Sequence, residues 1–262
     1  KYVCKSNKPM DYLDKIFASK KKAVEASKEL TSIDDFLDKI SQQEPRNKDF
    51  FNALSASDNQ YQIIAETKKG SPSAGIIKND YDPISIAQSY ESAGYTNISV
   101  LTEESYFFGQ KDDLSRIAKH TELSILRKDF IFDEWQLYET KSIGADCVLL
   151  IAEYLSEQEL NKLINVAKCL QLDVLLEFHE EQELSKVLNQ NLDYVGINNR
   201  NLKTLETNNM HALSIFHRYF KDLQRTNIIA ESGFSKVETL DIYQKEGINK
   251  FLIGEGLLKG SL

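Results

Sequence analysis

The sequence predicts an α/β protein, a (β/α)8 (TIM) barrel preceded by a helical extension, on three observations. Across its 262 residues, eight short aliphatic or β-branched runs recur from Gln62 onward, each separated from the next by a stretch with helical period. The runs are continuously apolar rather than alternating, as strands of a parallel sheet covered on both faces must be. No G-x-G-x-x-G turn follows the first run, so the usual mark of an open doubly wound sheet is missing and closure is favoured.

Taken in order, residues 1–60 hold lysine-rich helical stretches at 12–30 and 33–41 and then a polar segment. They are expected to pack on a barrel formed by residues 61–262, giving one domain overall. The apolar runs fall at 63–65, 98–101, 123–126, 147–151, 174–176, 194–197, 228–230 and 251–253. Asp82 followed by Pro83 is an N-cap with proline at the first helical position, and Gly94 ends that helix. A helix after Asp133 closes at Gly144. Ser156 and Glu159 form a capping box ahead of Leu160, Leu163, Ile164 and Ala167, which share one helical face. Ser235 and Glu238 repeat the device, with Gly247 as the stop. Only residues 254–262 follow the last run, too few for a full eighth helix. Either the chain continues past Leu262, which the missing initiator Met also favours, or the extension covers the gap.

Composition narrows the functional classes. With 41% hydrophobic and 27% charged residues, disorder and collagen-like scaffolds are excluded. Asp+Glu number 40 against 32 Lys+Arg, a net charge of −8 that repels phosphate backbones at long range, so no nucleic-acid partner is expected. The apolar run 148–152 is far short of the roughly 20 residues of a membrane helix, and residues 1–14 lack the apolar stretch of a signal peptide. A cytoplasmic location is expected. Cys4, Cys147 and Cys169 stand apart without a CxxC pair and are read as small buried hydrophobes in a reducing compartment. His120, His179, His211 and His217 are scattered without metal-ligand spacing, so neither metal nor cofactor is expected. No exposed apolar stripe stands out, and the expected state is a monomer.

Barrel chemistry belongs at the C-terminal ends of the strands. Here those ends carry Glu66 and Lys68 after the first run, Lys128 after the third, Glu177 after the fifth, Asn198 and Arg200 after the sixth, and Glu231 and Ser232 after the seventh. Strand alternation points Glu66 and Lys68 to one side. Opposite charges gathered in a partly dry mouth push pKa values apart and yield a poised acid and a poised base. Glycines and serines cluster after the first, seventh and eighth runs: Ser71 to Gly75, Ser232-Gly233 and Gly254-Glu255-Gly256. Such turns after the last two strands are the usual barrel grip on a phosphate, so a small phosphorylated substrate is expected.

These motifs, taken together, resemble one enzyme family. Glu66-Thr67-Lys68-Lys69-Gly70-Ser71-Pro72-Ser73 resembles the E-x-K-x-x-S-P-S signature of indole-3-glycerol-phosphate synthases. Further family segments follow in order, among them Lys128-Asp129-Phe130-Ile131, Leu176-Glu177-Phe178-His179, Gly196-Ile197-Asn198-Asn199-Arg200, Glu231-Ser232-Gly233 and Leu252-Ile253-Gly254-Glu255. The resemblance spans roughly residues 10–258. It implies ring closure of 1-(2-carboxyphenylamino)-1-deoxyribulose 5-phosphate to indole-3-glycerol phosphate, with loss of CO2 and water, in tryptophan biosynthesis. It implies Lys128 as general acid, Glu177 as general base, and Glu66 with Lys68 as a further catalytic pair. Asn198, Arg200, Glu231 and Ser232 match substrate-binding positions. Phe107, Phe130 and Leu202 would wall the aryl pocket, and Ser71, Gly233, Gly254 and Glu255 would hold the phosphate. Phe178, Phe234 and Ala74 depart from the family's commoner residues without removing a reacting group.

Two other readings compete. A barrel such as phosphoribosylanthranilate isomerase uses a Cys/Asp acid–base pair at strand ends, and no cysteine here follows an apolar run. A catalytically silent binding barrel has no chemical reason to keep Lys128, Glu177, Glu66 and Lys68 together.

Overall fold

The computed structural model describes residues 11–44, 46, 48–57, 59–72 and 75–262. Cys4, Ser73, Ala74 and the extreme N-terminal segment lie outside the described residues. Eight parallel strands close into a barrel: β1 (Gln62–Thr67), β4 (Asn97–Leu101), β5 (Ser124–Lys128), β6 (Cys147–Ile151), β7 (Asp173–Phe178), β8 (Tyr194–Asn198), β9 (Asn227–Glu231) and β10 (Lys250–Ile253). β1 pairs with both β4 and β10, which completes the ring. Each expected apolar run is a strand. β6 matches its run, and β1, β5, β7, β8 and β9 extend past theirs at the C-terminal end into polar residues, where a strand leaves the core for the mouth.

Helices α4 (Pro83–Ser92), α5 (Lys111–His120), α6 (Glu134–Ser142), α7 (Glu157–Cys169), α8 (Leu184–Leu188), α9 (His211–Arg218), α10 (Phe220–Leu223) and α11 (Val237–Lys245) cover the sheet. Asp82 caps α4 as expected, and capping boxes close on Asp133–Gln136 and Ser156–Glu159. The second expected box does not form. α11 begins at Val237 with Lys236 as N-cap and no side-chain cap, because Ser235 sits one residue too early and lines the mouth instead. After β10 the chain makes one turn, α12 (Glu255–Leu258), whose Leu257 and Leu258 pack on the core beside α4 and β1.

The extension supplies α1 (Tyr12–Lys28), α2 (Ile33–Ser41) and a third helix, α3 (Phe50–Ser55), within the segment read as polar. Phe50, Phe51 and Leu54 of α3 are buried in one apolar cluster with Ile64, Leu126, Leu149, Ile229 and Leu252 of the barrel interior. Asp173, at the start of β7, accepts a hydrogen bond from Phe50 N (2.7 Å), and Asn97 Nδ2 donates to Phe50 O (2.8 Å), so α3 plugs the barrel floor. At the other end, Phe17 of α1 meets Phe130 edge-on with centroids 5.3 Å apart. A short hairpin, β2 (Gly70–Ser71) with β3 (Gly75–Ile76), was also not expected. Cys147 is buried as expected, whereas Cys169 is exposed because the end of α7 turns it to solvent. Among the described residues no helix is long and apolar enough to cross a membrane.

Candidate active site

Alternation along the strands decides which side chains reach the barrel axis. On β5, Leu126 joins the interior cluster, so Lys128, two residues on, rises on the same side at the mouth. The same step puts Glu66 above Ile64, Glu177 above Leu175 and Glu231 above Ile229. The four meet. Lys128 Nζ lies 2.7 Å from Glu231 Oε2, 3.4 Å from Glu177 Oε2 and 4.0 Å from Glu66 Oε2. Lys68 Nζ donates to Glu66 Oε1 at 2.5 Å. Asn198 Nδ2 donates to Glu177 Oε1 at 2.8 Å, and Asn198 Oδ1 accepts from Arg200 N at 2.9 Å. Two glycines make room: a Cβ on Gly196 would collide with Glu231 Oε1, and one on Gly254 with Glu66 Oε1.

One ammonium among three carboxylates sets the electrostatics. Burial works against the Lys128 charge, but Glu231, Glu177 and Glu66 outweigh it and hold the ammonium well above the ordinary lysine range. Burial also opposes ionisation of Glu66, yet Lys68 and Lys128 keep that carboxyl below its usual value. Glu231 goes the other way. Burial and the neighbouring Glu177 push it far up, and Lys128 offsets this only in part.

Above the cluster opens a cavity of about 470 Å³. Glu66, Lys68, Lys128, Glu177, Asn198, Arg200 and Ser232 line it, together with Phe107, Phe130 and Leu202, which pack on one apolar cluster, and Gly233, Gly254 and Glu255. Thirteen of the fifteen expected site residues… are thereby gathered around one space.

 Two are not: Ser71 is buried in the β2–β3 hairpin, and Glu231, fully buried, sits behind Lys128 without lining the cavity. The glycine at 196 lets the Glu231 carboxyl sit below the floor and reach the ammonium.

The surrounding loops are fixed from behind. Glu103 accepts from the backbone N–H groups of Ser105, Tyr106 and Phe107 at 2.7–3.0 Å, which folds the loop carrying Phe107. Buried Asn199 donates to Ser232 O (3.0 Å) and accepts from Ala212 N (2.8 Å), tying the loop after β9 to the one after β8. Ser232 and Gly233 both have positive φ, 67° and 81°, a tight turn in which a Cβ on Gly233 would crowd Thr207. Arg200 Nε donates to Thr207 Oγ1 at 3.0 Å. Sequence reasoning missed Thr207, Leu205 and Lys259, which also line the cavity. Lys259 was legible in principle, four residues after Glu255 on one helical face; Thr207 and Leu205 sit in an irregular loop with no periodic signal. Cys147 begins β6 at the opposite end of the barrel and Cys169 ends α7, so neither reaches the mouth.

Such a mouth, with an ammonium and carboxylates beneath an aromatic wall, defines a (β/α)8-barrel enzyme of the acid–base class. The comparisons narrow the class. The family model described as "Indole-3-glycerol phosphate synthase" matches residues 13–261. An indole-3-glycerol phosphate synthase of Campylobacter jejuni is 41% identical over 248 residues, covering 94% of this chain and 95% of the relative. One from Acetivibrio thermocellus is 40% identical, with 94% of each chain covered. A solved structure of N-acetylmannosamine-6-phosphate 2-epimerase from Clostridium perfringens superposes with TM-score 0.59 at 11% identity over 82% of this chain and 93% of that one, a likeness of fold alone. The chain belongs to the indole-3-glycerol phosphate synthase family, and its activity is the decarboxylating ring closure of that family.

Proposed function

We propose that Lys128, Glu177, Lys68 and Glu66 carry this reaction by general acid–base catalysis. The observation that supports the reading best is the Lys128 ammonium, held among three carboxylates within 4.0 Å at the floor of the cavity. Lys128 protonates the ketone oxygen of 1-(2-carboxyphenylamino)-1-deoxyribulose 5-phosphate as the ring carbon bearing the carboxylate attacks. Loss of CO2 then restores the aromatic electrons. Glu177 accepts the proton from the side-chain carbon while the new hydroxyl departs as water with a proton from Lys68 or Lys128. An ammonium kept charged by its neighbours suits the first step, and the Asn198 hydrogen bond keeps Glu177 oriented for the second.

Phe107, Phe130 and Leu202 wall the aryl ring, Asn198, Arg200 and Ser232 contact the carboxylate and ribulose chain, and Gly233, Gly254 and Glu255 hold the phosphate through backbone N–H groups, with Ser71 on the adjoining hairpin. Mixing the protein with this substrate and following indole fluorescence tests the reading. A rise is expected, and no rise with tight phosphate-ester binding retained would make this a silent barrel. The reading also includes a cytoplasmic monomer that works without metal or cofactor; undiminished turnover after chelation, and a single 30.0 kDa species in sedimentation, are the expected results.

A further inference from the structure

We propose that Glu231 is a carboxylic acid in the resting enzyme and returns a proton to Lys128 during each turnover. The inference rests on the proposed function above and extends it to a group outside the cavity. Proton balance creates the need: substrate carboxylate plus one H+ gives product, CO2 and H2O. The ketone oxygen takes up two protons before it leaves as water, and the side-chain carbon gives back one. Lys128 spends its proton at ring closure and becomes a neutral amine in a site closed by substrate.

Glu231 is the group placed to refill it. Oε2 lies 2.7 Å from Lys128 Nζ, and the side chain is fully buried, so no solvent competes for the contact. Oε1 is also buried, and among the described residues no donor reaches it. Two carboxylates, Glu231 and Glu177, face one ammonium, because Lys68 is engaged by Glu66. Hydrogen bonds to the ionised form decide which of them keeps a proton. Glu177 has the Asn198 amide as a second donor and reaches the cavity; Glu231 has Lys128 alone. The proton therefore resides on Glu231, and burial beside the Glu177 charge raises its pKa in the same direction. The charged groups facing this carboxyl are Lys128 from β5 and Glu177 from β7, with Glu66 of β1 beyond Lys128; the flanking strands bring uncharged Gly196 and Asn198 from β8 and Leu252 from β10.

The transfer balances. After Lys128 gives its proton to the ketone oxygen, the Glu231 O–H bond breaks and a Lys128 N–H bond forms, leaving carboxylate and ammonium as an ion pair. At dehydration Glu177 takes the carbon proton. That proton and one from bulk water restore Glu231 and the spent lysine once product has left.

Glu231→Gln keeps the shape and removes the transferable proton. In infrared difference spectra at neutral pH, without substrate, the wild type should show a protonated-carboxyl C=O band that is lost in E231Q and retained in E66Q. In rapid mixing, CO2 release during the first turnover by E231Q should stay within about tenfold of wild type, while steady-state turnover falls by roughly 10²-fold, the usual worth of a positioned proton donor. Absence of the band from the wild type, or its survival in E231Q, overturns the proposal, as does an equal loss of first-turnover CO2 and steady-state turnover. The infrared result needs no turnover, so a failed indole assay would sink the functional reading while leaving this one to be judged on its own.

Discussion

Arg127 and Lys128 are consecutive residues of β5, and their surroundings differ in one respect that separates structure from chemistry. Arg127 points outward between sheet and helices, fully buried, and donates to Asp129 (2.9 Å), Glu139 (2.8 Å) and Thr140 (2.9 Å). Lys20 of α1 adds a second cation 2.8 Å from Asp129, and Lys111 a third 2.8 Å from Glu139. Every acid there has a cation of its own, and the Asp129 carboxyl is held far below its usual range: burial opposes this, but Lys20 and Arg127 outweigh it. Lys128 points inward and faces three carboxylates, of which Glu66 also pairs with Lys68 and feels Arg200. A cluster in which each acid has its own cation fixes a fold, whereas carboxylates crowded on one ammonium hold a mobile proton.

The largest effect expected from breaking the contrast lies on the outward side. Arg127→Met leaves Asp129 and Glu139 buried with fewer partners and should destabilise the fold by about 3–5 kcal/mol, read by denaturant unfolding; a loss below 1 kcal/mol would mean that the network is not structural. On the inward side, Lys128→Ala should lower turnover by at least roughly 10²-fold with the fold intact. Near-normal turnover would remove Lys128 from its role.

The two clusters should also tilt stability oppositely with pH. Asp129 binds its proton more weakly when folded than unfolded, so its contribution is present above about pH 4 and is lost as pH falls toward the folded value. Glu231 binds its proton more strongly when folded, so its contribution is fully present below about pH 4 and is lost as pH rises toward the raised value. Unfolding curves measured against pH should therefore lose slope below about pH 4 in D129N and above about pH 4 in E231Q. The same sign of change in both would contradict the contrast.

Smaller effects sharpen it. Gly233→Val forces a β-branched residue into positive φ against Thr207 and should weaken substrate binding about tenfold through the phosphate alone. Binding of free anthranilate, measured by titration, should not change. Ser156→Ala, at a cap far from both clusters, should cost about 1 kcal/mol of stability and no activity.

How much of this was legible in the sequence depends on range. The strands and their order were readable because a two-sided buried strand must be continuously apolar, as 147–151 is. Glu66, Lys128 and Glu177 were expected together because each follows an apolar run, and the C-terminal ends of barrel strands converge on one mouth. Depth was not readable: alternation turns Glu231 inward but cannot tell that Gly196 lets it sink beneath the floor. Helix α3 escaped because six residues are too few to display a period, and its apolar face is explained only by the barrel floor it plugs. The Lys20–Asp129 pair joins residues 109 apart in sequence and leaves no local signal.

The most direct measurement is a crystal structure with a substrate analogue whose ketone is reduced to an alcohol. The expected result puts the alcohol oxygen within about 2.6–3.2 Å of Lys128 Nζ, the aryl ring against Phe107 and Phe130, and the phosphate on the turns at Gly233 and Gly254. An analogue bound with its alcohol out of reach of Lys128, or with its phosphate at another rim of the barrel, would contradict the assignment of the acid and of the cavity together.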